Sequence, residues 1–189
     1  MTVLSIFSTA RTIIKTESRY FIGLAVAVAC ILSIPLVTMV FTGQVKWTFF
    51  DFIFMGTLLF GAGLSYKLVV RTMSIIAYRT AAGIAVLTTV VLVWINGAVG
   101  IIGDGPVNVL YAGVPFTGVI GLILARFRPL EMAYATFAMA IVQALVPVIA
   151  LMMGITDFAP GVLQVFGLNS VFVILYVISG LLFRSAFRG

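Results

Sequence analysis

The sequence contains no histidine, a single cysteine and few charged residues, which make up 8% of its 189 positions. Without histidine, and with only Cys30 to supply a thiolate, the chain lacks the usual ligand sets for zinc, haem, copper and iron–sulfur centres. The same absences exclude Ser-His and Cys-His nucleophilic catalysis, and one cysteine cannot form a disulfide within the chain. We therefore expect no metal, no cofactor and no enzymatic activity.

Apolar residues are abundant instead, at 63% of the chain against about 45–50% in soluble domains. Because about 20 apolar residues cross a bilayer as a helix, the chain divides into six candidate spans. The pattern predicts an all-α, polytopic membrane helix bundle that forms one domain over residues 20–189. The predicted spans cover residues 20–41, 49–66, 77–102, 107–125, 130–153 and 162–183.

The basic residues predict how these spans are oriented. Ten of the eleven fall before the first span, after the second, after the fourth or after the sixth, and only Lys46 falls on the opposite side. Positive charge beside spans is retained in the cytoplasm, so both termini are expected to be cytoplasmic. Asp51, Asp104 and Asp157 fall in or beside the opposite connections and predict an acidic outer face. The net charge of +6 is thus expected to contact anionic lipid at the cytoplasmic face and not nucleic acid.

Residues 1–19 are amphipathic at helical spacing. Val3, Ile6 and Ile13 occupy one arc, opposite Arg11 and Lys15. This pattern is typical of a helix on a membrane surface, so we predict a short interfacial segment before the first span. The apolar run after it exceeds the length of a signal-peptide core, which predicts a retained span. The segment is either an ordinary membrane anchor or a docking helix for a partner subunit.

The polar groups inside the predicted spans are neutral. No Asp, Glu, Lys or Arg falls at the middle of a span, which argues against proton pumping, proton-coupled transport and voltage sensing. Amides in a membrane interior usually hydrogen-bond between helices. The alternative is a polar cavity in the outer half of the bundle. Trp94 is predicted either to pack in the core or to form part of the wall of that cavity. The candidate residues are Asn96, Gln143, Asn169, Tyr176, Trp94, Thr89 and Thr136.

Small residues predict which helices pack together, because they allow close helix approach in lipid. The third span carries a stripe of small and polar residues on one arc, and the fourth, fifth and sixth spans carry comparable stripes. We therefore expect the core to join the third to sixth spans. The third-span stripe consists of Ala82, Ala85, Thr89, Asn96, Gly100 and Gly103.

Two stretches resemble a group of small multi-pass bacterial inner-membrane proteins. One is WINGAVGIIG at residues 94–103, and the other is ARFRP at 125–129, continuing to QALV at 143–146. The similarity covers residues 51–184. That group has no assigned activity, so the resemblance implies a location in the bacterial inner membrane and no mechanism.

Two functions are compatible with this sequence. The first is a non-enzymatic membrane protein that acts by association, as a homo-oligomer or as an accessory subunit of a membrane complex. The second is a small transporter or channel for a neutral or lipid-like solute, through an amide-lined outer vestibule. Amides that pair with one another in a dry core would favour the first function, and amides that face a water-accessible cavity would favour the second.

Overall fold

The computed structural model describes residues 3–42, 46–103, 105–155, 158 and 161–188, with side chains for 18–41 and the later ranges. Regular secondary structure in these ranges is entirely helical. The helices are α1 (Val3–Thr42), α2 (Phe49–Val70), α3 (Ile76–Ala98), a 3₁₀ helix (Pro106–Ala112), α4 (Gly113–Ala125), α5 (Pro129–Met152) and α6 (Val162–Arg188).

Within the described ranges, six helical segments are long and apolar enough to cross a membrane. This confirms the predicted helix class and number of spans, and it identifies a multi-pass membrane protein. The fourth segment combines the 3₁₀ helix with α4, and its first residue is Pro106, whose missing N–H is not needed at a helix start. The separate interfacial helix is not confirmed, because α1 continues from Val3 to Thr42 without a break.

The end of α3 differs from the prediction. The helix ends at Ala98, whereas the predicted span continued to residue 102. Gly100 and Gly103 follow it with φ of 69° and 78°, in the left-handed region that a right-handed helix cannot include. A Cβ on Gly100 would also collide with the carbonyl oxygen of Gly103. The predicted stripe is therefore wrong at these two glycines, which belong to a loop.

The described chain forms two compact units, Met1–Gly63 and Leu64–Gly189. In the second unit α5 packs against both α4 and α6, and α3 packs against α6. These contacts confirm the predicted core of the third to sixth spans.

The first unit contains α1 and most of α2. The hydroxyl of Tyr20 donates a hydrogen bond of 2.7 Å to the carbonyl of Gly63. Near this bond the rings of Phe21 and Phe60 stack with their centroids 6.5 Å apart. The side chain of Leu24 occupies the space that a Cβ on Gly63 would need. The missing side chain thus allows the two helices to approach closely.

The second unit has two apolar clusters. One includes Leu92, Tyr111 and Val146, and it draws side chains from every helix of this unit between α3 and α6. The other includes Tyr78 and Phe183, whose rings meet edge to face with centroids 5.1 Å apart. The two clusters give α3, α5 and α6 buried contacts over most of their length.

Glycines permit the closest helix contacts in this unit. A Cβ on Gly121 of α4 would lie 2.5 Å from the Cβ of Ala135 on α5. A Cβ on Gly180 of α6 would lie 2.5 Å from a ring carbon of Phe137 on α5. Neither distance is possible for real atoms, so α5 is held between its two neighbours at positions that require glycine.

Candidate functional site: a buried amide network

Two of the predicted site residues, Gln143 of α5 and Asn169 of α6, hydrogen-bond to each other in the bundle core. Their exposed fractions are 0% and 2%. The Nε2 group of Gln143 donates to Oδ1 of Asn169 at 2.8 Å. Asn169 also pairs with Tyr111 of the 3₁₀ helix, whose hydroxyl oxygen lies 2.9 Å from Nδ2 and 3.2 Å from Oδ1. Three helical segments are thus joined by side-chain hydrogen bonds inside one apolar cluster.

The orientation of these amides follows from a backbone group. The Nδ2 group of Asn169 donates to the carbonyl of Val165 at 2.8 Å. Because a carbonyl oxygen only accepts, Oδ1 of Asn169 must face Gln143, and Gln143 must present its NH₂ group. Its own carbonyl oxygen, Oε1, is then buried without a hydrogen-bond partner among the described residues.

A second polar contact joins α3 to α6. The hydroxyl of Thr89 donates to the carbonyl of Ala85 at 2.8 Å. A threonine hydroxyl has one hydrogen, so the hydroxyl of Tyr176 must be the donor in its 3.0 Å contact with Thr89. Along α6, the hydroxyl of Ser179 donates to the carbonyl of Ala81 on α3 at 2.9 Å. These bonds hold α3 against α6 at two levels.

Asn96 contacts a different part of the chain from Gln143. Its Nδ2 group donates to the carbonyl of Asn108 at 3.0 Å, and its Oδ1 is buried without a partner among the described residues. The contact ties the last turn of α3 to the start of the fourth span. The structure therefore brings Gln143 and Asn169 together and places Asn96 in a separate group.

Asn108 organises the loop after α3. Its Oδ1 accepts the N–H groups of Ile101 and Ile102 at 2.9 and 3.0 Å. Its Nδ2 group donates to the carbonyl of Gly105 at 3.1 Å and to that of Gly103. This side chain replaces the hydrogen bonds that the loop backbone would otherwise take from water. One side chain thus bonds to two N–H groups and two carbonyl groups of the loop backbone.

Trp94 and Thr136 do not join these groups. Trp94 is 45% exposed and lies four residues before the end of α3, or about 6 Å along the helix axis. Trp94 is thus not packed in the described core, whereas its placement in a cavity wall stays a prediction, and it lies closer to the helix end than predicted because α3 ends at Ala98. Thr136 is buried, but its hydroxyl bonds to the carbonyls of Met132 and Ala133 in its own helix.

The acidic candidates divide between described and undescribed residues. Asp51 is exposed in the first turn of α2, and its Oδ2 accepts the backbone N–H and the hydroxyl of Thr48 at 2.6 and 2.8 Å. The backbone N–H of Asp51 lies 3.4 Å from the hydroxyl oxygen of Thr48. This reciprocal arrangement caps the helix start. Asp104 and Asp157 lie outside the described residues.

Several residues of these networks were not predicted. Asn108 sits among glycines at 100, 103 and 105, and that setting is typical of a side chain that stabilises a turn. Tyr111 and Ser179 have no such local signal, because their partners come from other helices. Ala81, to which Ser179 bonds, is next to Ala82 in the chain but was not part of the predicted stripe.

The network consists of neutral donors and acceptors, so it can hold helices together or hydrogen-bond a neutral molecule. Among the described residues, no group of His, Cys, Asp and Glu side chains is arranged to hold a metal ion. Within the described part of the chain, the outside of the second unit has a groove of about 580 Å³ beside Arg79 and another of about 480 Å³ beside Glu131. Their linings contain neither Gln143 nor Asn169.

Comparison with protein-family models, with curated proteins and with solved structures finds no match for this chain. The resemblance over residues 51–184 therefore stays a prediction, and we base the function on the geometry of the bundle.

Proposed function

We propose that this chain is a non-enzymatic integral protein of the bacterial inner membrane that acts by association, as a homo-oligomer or as an accessory subunit of a membrane complex. Its basic face lies in the cytoplasm and contacts anionic lipid there. The six apolar spans make it a multi-pass membrane protein. The type of membrane, the orientation and the role in association are what we propose.

The observation that carries the proposal is the use of the buried amides. Gln143 and Asn169 bond to each other and to Tyr111 at positions with almost no exposed surface. A solute pathway needs polar groups that exchange their partners with water and with the solute. Amides that hydrogen-bond to neighbouring helices instead stabilise a rigid bundle. In such a bundle the outer surface makes the functional contacts.

One observation favours the transport hypothesis as a second candidate. The carbonyl oxygens of Asn96 and Gln143 are buried without partners among the described residues. A buried acceptor without a partner is costly, at about 1–3 kcal/mol. Neutral solutes with hydroxyl or amide donors would satisfy these oxygens, each in its own group, if they entered the bundle.

The test combines an association assay with a transport assay. Two full-length copies with different epitope tags are expressed together, extracted in native nanodiscs and retrieved through one tag. The proposal predicts that the second tag, or a stoichiometric membrane partner, is retrieved. The protein mass per particle, without lipid and scaffold, should exceed that of one 20.3 kDa chain. In proteoliposomes, the purified chain should give no glycerol or urea flux above that of empty liposomes.

The variant Gln143→Leu separates the two hypotheses. Under the association proposal, it lowers the stability of the bundle and leaves the basal permeability of the liposomes unchanged. A chain retrieved as a monomer without partner, with solute flux that Gln143→Leu abolishes, would contradict the proposal and establish the transport hypothesis. Ser170→Ala is the matched control, because the hydroxyl of Ser170 is exposed and bonds only within α6.

A further inference from the structure

The groove of about 580 Å³ beside Arg79 lies along α3, where the end of α2 meets it. The ring of Tyr66 forms one wall, and a Cβ on Gly83 would lie 3.7 Å from that ring. Gly83 thus forms the floor of the groove, since it has no side chain to fill it. Ile84 and Leu87 continue the lining as an apolar surface, and Leu87 is exposed.

One end of this groove is positively charged. Arg79 and Thr80 form the polar part of its lining, and the guanidinium of Arg79 is exposed. Lys67 and Arg71 lie in the same stretch between the second and third spans. The sequence places only two carboxylates, Glu17 and Glu131, on the basic side of the spans. The charged end therefore has a strong excess of positive charge.

The length of the groove matches one leaflet of a bilayer. From Arg79 to Leu87 the helix rises about 12 Å, and half of a hydrocarbon core measures about 15 Å. A ligand with its charge at Arg79 would extend its apolar part towards Leu87, from the membrane surface into the hydrocarbon. A diacyl lipid has this distribution of charge and apolar length, whereas a small soluble anion does not.

We propose that this groove binds one anionic phospholipid from the leaflet on the basic side. Its phosphate contacts Arg79 and Thr80, and an acyl chain lies over Gly83 against Ile84 and Leu87. The site specifies the anionic-lipid contact proposed above and rests on that part of the proposed function, but it does not require the association role.

The second outer groove serves as a comparison within the same molecule. It lies between α4 and α5, its volume is about 480 Å³ against about 580 Å³, and Ile120 and Leu124 give it an apolar wall. Its charged residue is Glu131, which would repel a phosphate. We therefore expect an anionic headgroup to select the groove beside Arg79 over the groove beside Glu131.

Native mass spectrometry of the full chain in detergent tests this site. The protein is titrated with phosphatidylglycerol or phosphatidylcholine, and the bound-lipid populations give their affinities. We expect one phosphatidylglycerol to bind about fivefold more tightly than phosphatidylcholine. This is the difference in affinity that one arginine or lysine near an anionic membrane surface contributes. Arg79→Gln should remove this preference, and Arg79→Lys should keep most of it. Arg184→Gln, which removes an exposed charge on α6 outside the groove, should leave it unchanged.

Two tryptophan variants test the apolar part of the groove. Both Leu87 and Ile120 are exposed, so their replacement should not disturb folding, which circular dichroism and gel filtration check. Leu87→Trp fills the proposed groove and should weaken the binding of both lipids. Ile120→Trp fills the comparison groove and should not.

Four outcomes would overturn the proposal. One is an equal loss of preference in Arg79→Gln and Arg184→Gln, which would indicate diffuse attraction to the basic face. A second is unchanged lipid binding in Leu87→Trp. A third is displacement of phosphatidylglycerol by millimolar inorganic phosphate, because the site would then recognise a free anion. The fourth is a dimer that Leu87→Trp dissociates without any change in lipid binding, since the groove would then hold a second copy.

Discussion

Replacing Asn169 tests whether the buried amides hold the bundle together. This residue contacts two other helical segments, through Gln143 on α5 and Tyr111 on the 3₁₀ helix. Asn169→Leu keeps a side chain of similar size and removes both contacts. It also leaves the NH₂ group of Gln143 and the hydroxyl of Tyr111 without the partner that they share.

The expected loss follows from the number of bonds between helices. Such hydrogen bonds in membrane proteins contribute about 0.6 kcal/mol each on average and up to about 1.7 kcal/mol, so two of them predict a loss of about 1–3 kcal/mol. This corresponds to a change of about 5- to 150-fold in the unfolding equilibrium constant. Ser179→Ala removes a single such bond, to Ala81 on α3, and should cost about half as much.

The assay is reversible unfolding of the full chain in mixed micelles at increasing SDS fraction, followed by circular dichroism. Ser170→Ala is the control on the same helix, because its hydroxyl bonds to the carbonyl of Phe166 within α6 and is exposed. We expect its free energy of unfolding to stay within about 0.5 kcal/mol of the original chain. The double variant with Gln143→Leu should lose less than the sum of the two single variants, because both remove the same bond.

Equal free energies of unfolding for Asn169→Leu and Ser170→Ala would refute this reasoning, as would a gain in stability for Asn169→Leu. Strict additivity with Gln143→Leu would show that the two amides do not interact in the membrane. In either case the network could not be the structural element that we describe.

Three further predictions follow from the packing of the second unit. Gly180→Ala should lower the free energy of unfolding by about 1–3 kcal/mol in the SDS assay, because its Cβ would overlap the ring of Phe137. Gly167→Ala on the same helix faces open space and should leave stability unchanged or raise it by up to about 1 kcal/mol, and a loss as large as that of Gly180→Ala would contradict the packing. Tyr78→Phe removes a 2.8 Å bond to the carbonyl of Phe127, which has a φ of 64°. It should speed trypsin cleavage after Arg126, the arginine of this turn that is not followed by proline, and an unchanged rate would show that the bond does not hold the turn.

The span number could be predicted from the sequence because it depends on a physical length. A helix must bury about 20 apolar residues to cross the hydrocarbon, and the breaks between such runs are visible in the sequence. The packing of α6 could also be predicted, because Asn169, Tyr176 and Gly180 recur at helical spacing. All three are buried in the bundle.

The end of α3 could not be predicted from apolar length. Residues 99–102 are apolar enough to continue the span, but Gly100 adopts a left-handed conformation and Asn108 bonds to the loop backbone. This local chemistry overrides the hydropathy signal. The error also misplaced Trp94, whose predicted depth was counted from a helix end that does not exist.

The partners of the amides depend on tertiary structure. Gln143 and Asn169 were both identified as candidates because amides are rare in apolar spans, and the structure places them in contact. Tyr111 bonds to Asn169 because of how the fourth and sixth spans are aligned along each other. That alignment cannot be read from the sequence. Burial of a polar side chain was thus easier to predict than the identity of the group it bonds.

The most direct measurement of the central claim is the access of water to the space beside the amide network. Ala140 lies about one turn before Gln143 and belongs to the apolar cluster of Leu92, Tyr111 and Val146. A cysteine is introduced at this position in a Cys30→Ser background. The protein in native nanodiscs is then exposed to a charged methanethiosulfonate reagent, with Arg128→Cys as the exposed control. We predict complete labelling at position 128 and no labelling at position 140. Labelling of position 140 at a rate comparable to that of position 128 would show a water-filled path to the amides and would contradict the account.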